Sequence, residues 1–277
     1  MMQSSADEPI EYLRRLGEAG GGPHDIAGAA LMLAALDHPA TPRAPYFAHL
    51  GEIAETMRND AKLIATVDEG ARLLARQMTA HFGYEGDRLS YDDPKNADLM
   101  AVIDRKRGLP VALGILYLHA ARAAGFAAQG LHSPGHFLLS VLHKGREALI
   151  DPFNGGAAIG REKLGAPPRM GAPAFVGSPV AEPVSDIDVL LRLQNNLKLR
   201  AVEAGEVERA LDIARRMVLI GPKRAELWLD LARLNENAGA LGAARRAYET
   251  CLSLSRSGQA LHNEAALGLN SLKRKLN

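Results

Sequence analysis

The chain has 277 residues, 47% of them hydrophobic and 23% charged, enough length and apolar content for one or two domains around a sizeable core. Its 33 Lys and Arg against 32 Asp and Glu leave a formal charge of +1, without the basic excess that a general nucleic-acid binder needs to displace counterions. One cysteine excludes an intrachain disulfide and a multi-cysteine zinc site. With no apolar run of about 18 residues and no basic-then-apolar stretch in Met1 to Arg15, a soluble cytoplasmic protein is expected.

Residues 1–22 read as frayed, with polar residues followed by Gly20, Gly21 and Gly22. Ile26 to Leu36 is apolar on nearly every side and predicts a buried helix that stops at His38-Pro39. Helices follow over Tyr46 to Met57 and Lys62 to His81, the second with Leu63, Val67, Ala71, Leu74 and Met78 along one face. Residues 82–94 are turn-rich. Pro94 opens another helix in its favoured first-turn position, with Asp93 as the cap.

Pro110 to Ala124 is apolar nearly all round and is followed by Gly125, the proline-first, glycine-last pattern of a helix with no polar face. The period then changes. His136 to Leu142 and Ala148 to Ile150 read as strands of a hairpin, with residues 126–131 as the candidate third strand. Asn154-Gly155-Gly156 is a further turn. The Pro- and Gly-rich residues 161–187 read as a linker, and the chain is helical from Asp188 onward.

The C-terminal region repeats. Gln194 to Ala214 aligns with Trp228 to Tyr248 at an offset of 34 residues, the tetratricopeptide period. Trp228, Leu231, Ala232, Ala244 and Tyr248 stand at its packing positions; Gln194, Leu197, Lys198, Ala210 and Ala214 match less well. Gly205 and Gly239 occupy equivalent turns, and His262 to Leu276 reads as a capping helix. One helix pair cannot bury its own apolar face, so such units stack.

The stretches Arg105-Lys106-Arg107-Gly108-Leu109-Pro110-Val111-Ala112-Leu113, Tyr117, Ser133-Pro134-Gly135-His136-Phe137-Leu138 and Asp151-Pro152-Phe153-Asn154-Gly155-Gly156 together resemble the SirB1 family. Phe82-Gly83-Tyr84 and Tyr91-Asp92-Asp93-Pro94-Lys95-Asn96 add to the resemblance, which spans about residues 25–277. It implies an α+β protein: a helical N-terminal layer and a transglutaminase-like (papain-like) helix-plus-antiparallel-sheet core over 1–160, a linker over 161–187, and an all-α tetratricopeptide-like tail over 188–277.

That fold places a catalytic cysteine at the N-terminus of the buried helix, where dipole and imidazole favour the thiolate, with a strand histidine as base and a carboxylate to orient it. Here the nucleophile's place falls on Pro110, whose side chain has no nucleophilic atom. Cys251 stands at a packing position of the second repeat. His136 and Asp151 remain. An even hairpin loop puts both on one face, diagonal if the loop is Lys144-Gly145 and opposite if it is His143-Lys144; an odd loop separates them.

Arg105, Arg107, Tyr117, His136, Asp151 and Asn154 are therefore the pocket candidates, with Arg105 or Arg107 able to clamp a carboxylate. Ser133 and Ser140 stand at no helix N-terminus and in no nucleophile elbow. His119 reads as a core histidine. The Pro134-Gly135 break keeps His132 and His136 from forming a helical metal pair. No metal or cofactor is expected. Two functions follow: a non-catalytic, regulatory protein- or peptide-recognition module, or a hydrolase or acyl transferase that uses the His136–Asp151 pair without a cysteine.

Overall fold

The computed structural model describes residues 7–133, 136–160 and 182–276. They form two compact units, residues 21–193 and residues 1–20 together with 194–277.

In the first unit, α2 (Ile26–Ala35) is buried at all ten residues, as its uniform apolarity demands. Asp25 caps it, accepting from the Gly28 amide at 3.0 Å. Beyond α3 (Ala44–Asp60), the helix expected to run from Lys62 is interrupted. Thr66 restarts the chain as the N-cap of α4 (Val67–Arg76), and a π-helical turn (Gln77–His81) continues it. The Glu69 amide donates to the Thr66 hydroxyl at 3.2 Å, and the Glu69 carboxylate accepts from Thr66 N at 3.0 Å and Ala65 N at 2.8 Å. Leu63 lies upstream of this cap and is 93% exposed, whereas Val67, Ala71, Leu74 and Met78 are buried on the anticipated face.

Asp93 caps only a short 3-10 turn (Pro94–Ala97); Asp98 caps the helix proper, α5 (Leu99–Arg105). Next comes α6 (Pro110–Ala123), buried at ten positions. It packs on α2 and α3 on one side and on the sheet on the other. Burying a Leu, Ile or Val side chain stabilises by about 1.5–3 kcal/mol, so α6, with Val111, Leu113, Ile115, Leu116 and Leu118 buried, contributes substantially to this unit's core.

The sheet is antiparallel, in the order β6 (Ala157–Ile159), β5 (Arg146–Asp151), β4 (His136–His143), β3 (Ala127–Ser133), β7 (Glu182–Val184). Residues 126–131 do supply the third strand. β6 and β7 are edge strands not anticipated from the sequence, and β7 falls inside the segment read as linker, whose residues 161–181 lie outside the described part. Lys144 and Gly145 form the hairpin turn with φ of 48° and 76°, two left-handed residues as a type I′ turn requires. α6 approaches β4 closely at Gly114, where a Cβ would stand 2.2 Å from Phe137 Cε1.

Arg122 ties the end of α6 to its surroundings. Its Nε and Nη2 donate to the Ala128 carbonyl at 3.2 and 3.0 Å, and Nη1 donates to the His24 carbonyl at 3.3 Å. Nη1 and Nη2 also clasp the two oxygens of Asp186 at 2.7 and 2.8 Å. Asp186 opens α7 (Asp186–Glu203), and its side chain is only 4% exposed.

In the second unit, α8 (Val207–Ile220), α9 (Ala225–Asn237), α10 (Leu241–Leu254) and α11 (Ala260–Leu276) follow the expected repeat. Gly205 and Gly239 take φ of 72° and 73°, the same turn at equivalent places. The weak match at Lys198, which stands where the second copy has Ala232, is resolved by an ion pair with Asp230. Trp228 is a packing residue whose indole donates to the Pro222 carbonyl at 2.8 Å.

The expectation of a frayed N-terminus is corrected. Residues Asp7–Ala19 form α1, which packs on α8 and buries Leu13 and Leu16 one turn apart. Among the described residues no helix is long and apolar enough to cross a membrane. The architecture is α+β, a helix-and-antiparallel-sheet unit joined to an all-helical tetratricopeptide-like region.

Candidate functional site

Three sequence motifs converge through backbone pairing. Arg107–Gly108 forms β2 and pairs in parallel with β1 (Glu85–Gly86), in register Glu85 to Arg107 and Gly86 to Gly108. Gly86 in turn lies against Phe153, where a Cβ would stand 2.6 Å from Phe153 Cδ2, so no larger residue lets β1 approach. Phe153 belongs to the 3-10 turn Pro152–Asn154 that Asp151 caps. Thus the start of α6, strand β1 and the end of β5 are neighbours.

Pro110 is the first residue of α6, and Leu109 before it is the N-cap, with no side-chain capping bond. The Leu109 amide donates to the Asn96 carbonyl at 2.9 Å. A proline at this place supplies neither a nucleophile nor an N–H, so the helix starts well but has nothing there for covalent chemistry.

Asp151 is 3% exposed and ends β5. Its Oδ1 accepts from the amides of Phe153 at 3.0 Å and Asn154 at 3.2 Å, and its Oδ2 accepts from Asn154 Nδ2. Asn154 Oδ1 accepts from Arg88, whose guanidinium lies 5.3 Å above the Phe153 ring. Tyr91 meets the same ring edge-on at 5.9 Å.

Tyr117 stands two turns along α6 from Pro110, with its ring fully buried. Its hydroxyl reaches Gly156, where a Cβ would come within 2.9 Å of it. Among the described residues this hydroxyl has no hydrogen-bond partner. Burial first, and then the charge of Asp151, hold its pKa above the usual tyrosine value.

The hairpin register resolves the geometry left open by the sequence. With Lys144-Gly145 as the loop and Leu139 opposite Ile150, position 136 is diagonal to position 151 on one face. The His136 side chain itself lies outside the described residues, as do Pro134 and Gly135.

The two arginines both meet carboxylates of this chain. Arg105 donates to Asp87 at 2.8 Å and to Asn96 at 3.1 Å. Asp87 is 4% exposed and also accepts from the amides of Leu89 at 3.1 Å and Ser90 at 2.9 Å. The Ser90 amide, then Asn96 and Arg105, hold its carboxyl below the usual range against the opposing effect of burial. Arg107 pairs with Glu85 across the two-residue parallel ladder, with both side chains half-exposed, a setting in which an ion pair contributes little. The structure thus brings Tyr117, Asp151 and Asn154 together, builds Arg105 into a brace under loop 87–96, and leaves Arg107 exposed and paired with Glu85. Asp87 and Arg88 went unnoticed in the sequence because lone polar residues in a turn-rich stretch carry no periodic signal, and Asn96 was singled out only as part of a motif.

The remaining candidates have structural partners. Ser140 is buried and donates to Glu147 at 2.5 Å; His119 Nε2 bonds the Leu50 carbonyl at 2.9 Å. The Ser133 side chain lies outside the described residues. Cys251 is fully buried in α10, and burial, then the charge of Glu226, pushes its thiol pKa up. Among the described residues no group of three His, Cys, Asp or Glu side chains is arranged to hold a metal ion.

Comparison with known proteins gives two family matches: the transglutaminase-like superfamily over residues 44–195 and a tetratricopeptide repeat over residues 197–266. A UPF0162 protein of Xylella fastidiosa (strain Temecula1) is 26% identical over 230 residues, covering 80% of this chain and 82% of the relative. A UPF0162 protein of Vibrio cholerae is 37% identical over 113 residues, covering 39% of this chain and 42% of the relative. The mouse F-box only protein 21 is 31% identical over 71 residues, 26% of this chain and 11% of that protein.

Proposed function

Since the chain belongs to the transglutaminase-like superfamily and carries a tetratricopeptide region behind that domain, we propose that it is a SirB1-type pseudoenzyme of the cytoplasm, whose inherited site turns over no substrate and whose two parts recognise a protein or peptide partner in a regulatory role. The observation that carries this reading is Pro110 at the first position of α6. Thiol catalysis needs a nucleophile there, at the positive end of the helix, where the dipole favours thiolate. The sole cysteine sits in α10, fully buried, with its thiol disfavoured from ionising. The tetratricopeptide region supports protein partners, because stacked helix pairs leave extended surfaces suited to them. In this reading Arg105, Arg107, Tyr117, His136, Asp151 and Asn154 frame a binding pocket rather than a reaction centre, and no metal or cofactor takes part.

A second reading has one observation in its favour: the register that sets position 136 diagonal to Asp151 on one face. A hydrolase or acyl transferase would then use His136 as a base for water or for a substrate nucleophile. General-base assistance alone contributes only about 10²–10⁴ in rate. The two readings part in one experiment. A partner captured by the full chain is tested for binding to His136→Ala and to variants on the exposed faces of α8 to α11. Recognition predicts that the tetratricopeptide variants lose the partner without any change in the chemistry of the bound molecule. Cleavage or acylation of the partner that stops in His136→Ala would overturn it.

A further inference from the structure

A second group of titratable side chains, none of them among the pocket residues named above, gathers in the unit of residues 21–193. His49 of α3 bonds the Tyr84 hydroxyl through Nε2 at 2.8 Å. Lys106 Nζ lies 3.2 Å from the same Nε2 and 3.5 Å from the Tyr84 hydroxyl, and 4.7 Å above the Tyr84 ring. On the other side of the imidazole, Nδ1 lies 3.2 Å from Glu52 Oε2. The ionised carboxylate accepts a hydrogen bond from Nδ1–H, so in neutral His49 the Nε2 lone pair faces both the amine and the phenol. Amine, base and orienting carboxylate therefore stand in series, the arrangement that activates a side-chain nucleophile.

The backbone is consistent with a selected lysine. Lys106 follows α5 with φ of 58°, a left-handed position where glycine is the unstrained choice. Its side chain is half-buried and so reachable from solvent, while Tyr84 beneath it is 1% exposed.

We propose that Lys106 is a reactive amine, with His49 as its base, Glu52 as the residue that orients His49 and Tyr84 as the proton donor, and that it forms an imine with small aldehydes or ketones. The ammonium proton passes to His49 Nε2. The free amine adds to the carbonyl carbon, forming the C–N bond as one N–H proton moves to the oxygen of the carbinolamine. That hydroxyl takes the proton held by His49, relayed through the Tyr84 hydroxyl, and leaves as water as the C–O bond breaks. A protonated imine remains, with no oxidant, reductant or metal required. A carbonyl compound fits this group because loss of water needs a protonated donor beside the amine, which Tyr84 provides.

The electrostatics agree. Burial lowers the Lys106 pKa, opposed by the charges of Glu52 and Asp104, and burial with the Lys106 charge lowers that of His49, opposed by Glu52. Burial, with Asp104 and Glu52, raises that of Tyr84 and keeps its proton on. Asp104 is itself engaged by the Tyr46 hydroxyl at 2.9 Å.

The test treats the full chain with acetaldehyde and cyanoborohydride near pH 7 and maps N-ethyl lysines by peptide mass spectrometry. Ethylation should concentrate at Lys106, ahead of every other lysine, and vanish there in Lys106→Arg. His49→Gln should slow it about 10²-fold, the low end of general-base assistance, with the other lysines unchanged. Glu52→Gln, at a side chain that is 61% exposed, should slow it less, so the proposal is still tested if His49→Gln fails to fold. Ethylation spread in proportion to exposure, or a rate at Lys106 indifferent to both folded variants, would overturn the proposal.

Discussion

Replacing Tyr117 with phenylalanine should stabilise the protein. The ring is fully buried against α4 and the Gly155-Gly156 turn, so the substitution leaves the packing intact and deletes one oxygen. That oxygen has no hydrogen-bond partner among the described residues. A buried polar group left unsatisfied costs about 1–3 kcal/mol, and its removal returns an amount of that order. For a protein of this size the gain corresponds to roughly 2–10 °C in Tm. The pH dependence gives an independent check. The folded-state pKa of Tyr117 is raised, so its stabilising contribution is complete below the unfolded tyrosine pKa and is lost as pH rises through that value toward the folded one. A phenylalanine ring has no proton to lose, so the advantage of Tyr117→Phe should widen above about pH 10. Urea titrations at about pH 7 and about pH 10.5, on either side of the unfolded tyrosine pKa, measure both effects. A loss of about 1 kcal/mol or more near neutral pH would refute the reasoning, because it would mean the hydroxyl holds a partner.

Three further outcomes follow from contacts elsewhere. Asp186→Asn removes the carboxylate that Arg122 clasps at 2.7 and 2.8 Å and should cost about 3–5 kcal/mol in a urea melt, as breaking a buried pair does. Gly114→Ala should cost about 1–3 kcal/mol through the clash with Phe137, and a double mutant that also shortens Phe137 should recover part of it in a mutant cycle. The depressed pKa of Asp87 stabilises the fold above the ordinary aspartate pKa and is lost as pH falls through its folded value, so Asp87→Asn should flatten the acid limb of the stability profile measured by circular dichroism.

Much of the framework was legible in the residues. A helix with proline first, glycine past its end and no polar face has one destination, the core, and α6 lies there. The 34-residue offset matched Gly205 with Gly239, and both turns adopt the same left-handed φ. Local chemistry left three features hidden. α1 has few apolar residues and is held by α8, some two hundred positions away, so no window of sequence contains its reason to fold. The interruption before α4 follows from the reciprocal bonds of Thr66 and Glu69, which override a hydrophobic period that includes Leu63. β6 and β7 are three-residue edge strands, too short to show alternation, and Pro183 in β7 is tolerated only at an edge.

At the candidate site the same division holds. Pro110, Tyr117 and Asp151 stand out by type and position, and the hairpin register follows once the turn is known to be Lys144-Gly145. The use of Arg105 to brace Asp87 and Asn96 could not be read off, because one guanidinium in a basic cluster looks the same whether its carboxylate is internal or supplied by a ligand.

Turnover by purified protein is the most direct measurement. Wild type and His136→Ala are compared on activated esters, amides and peptides under matched conditions. With proline at the start of α6, the two should be indistinguishable and neither should show multiple turnover above the spontaneous rate. Hydrolysis or acyl transfer by wild type that is abolished in a folded His136→Ala variant would contradict an inert inherited site.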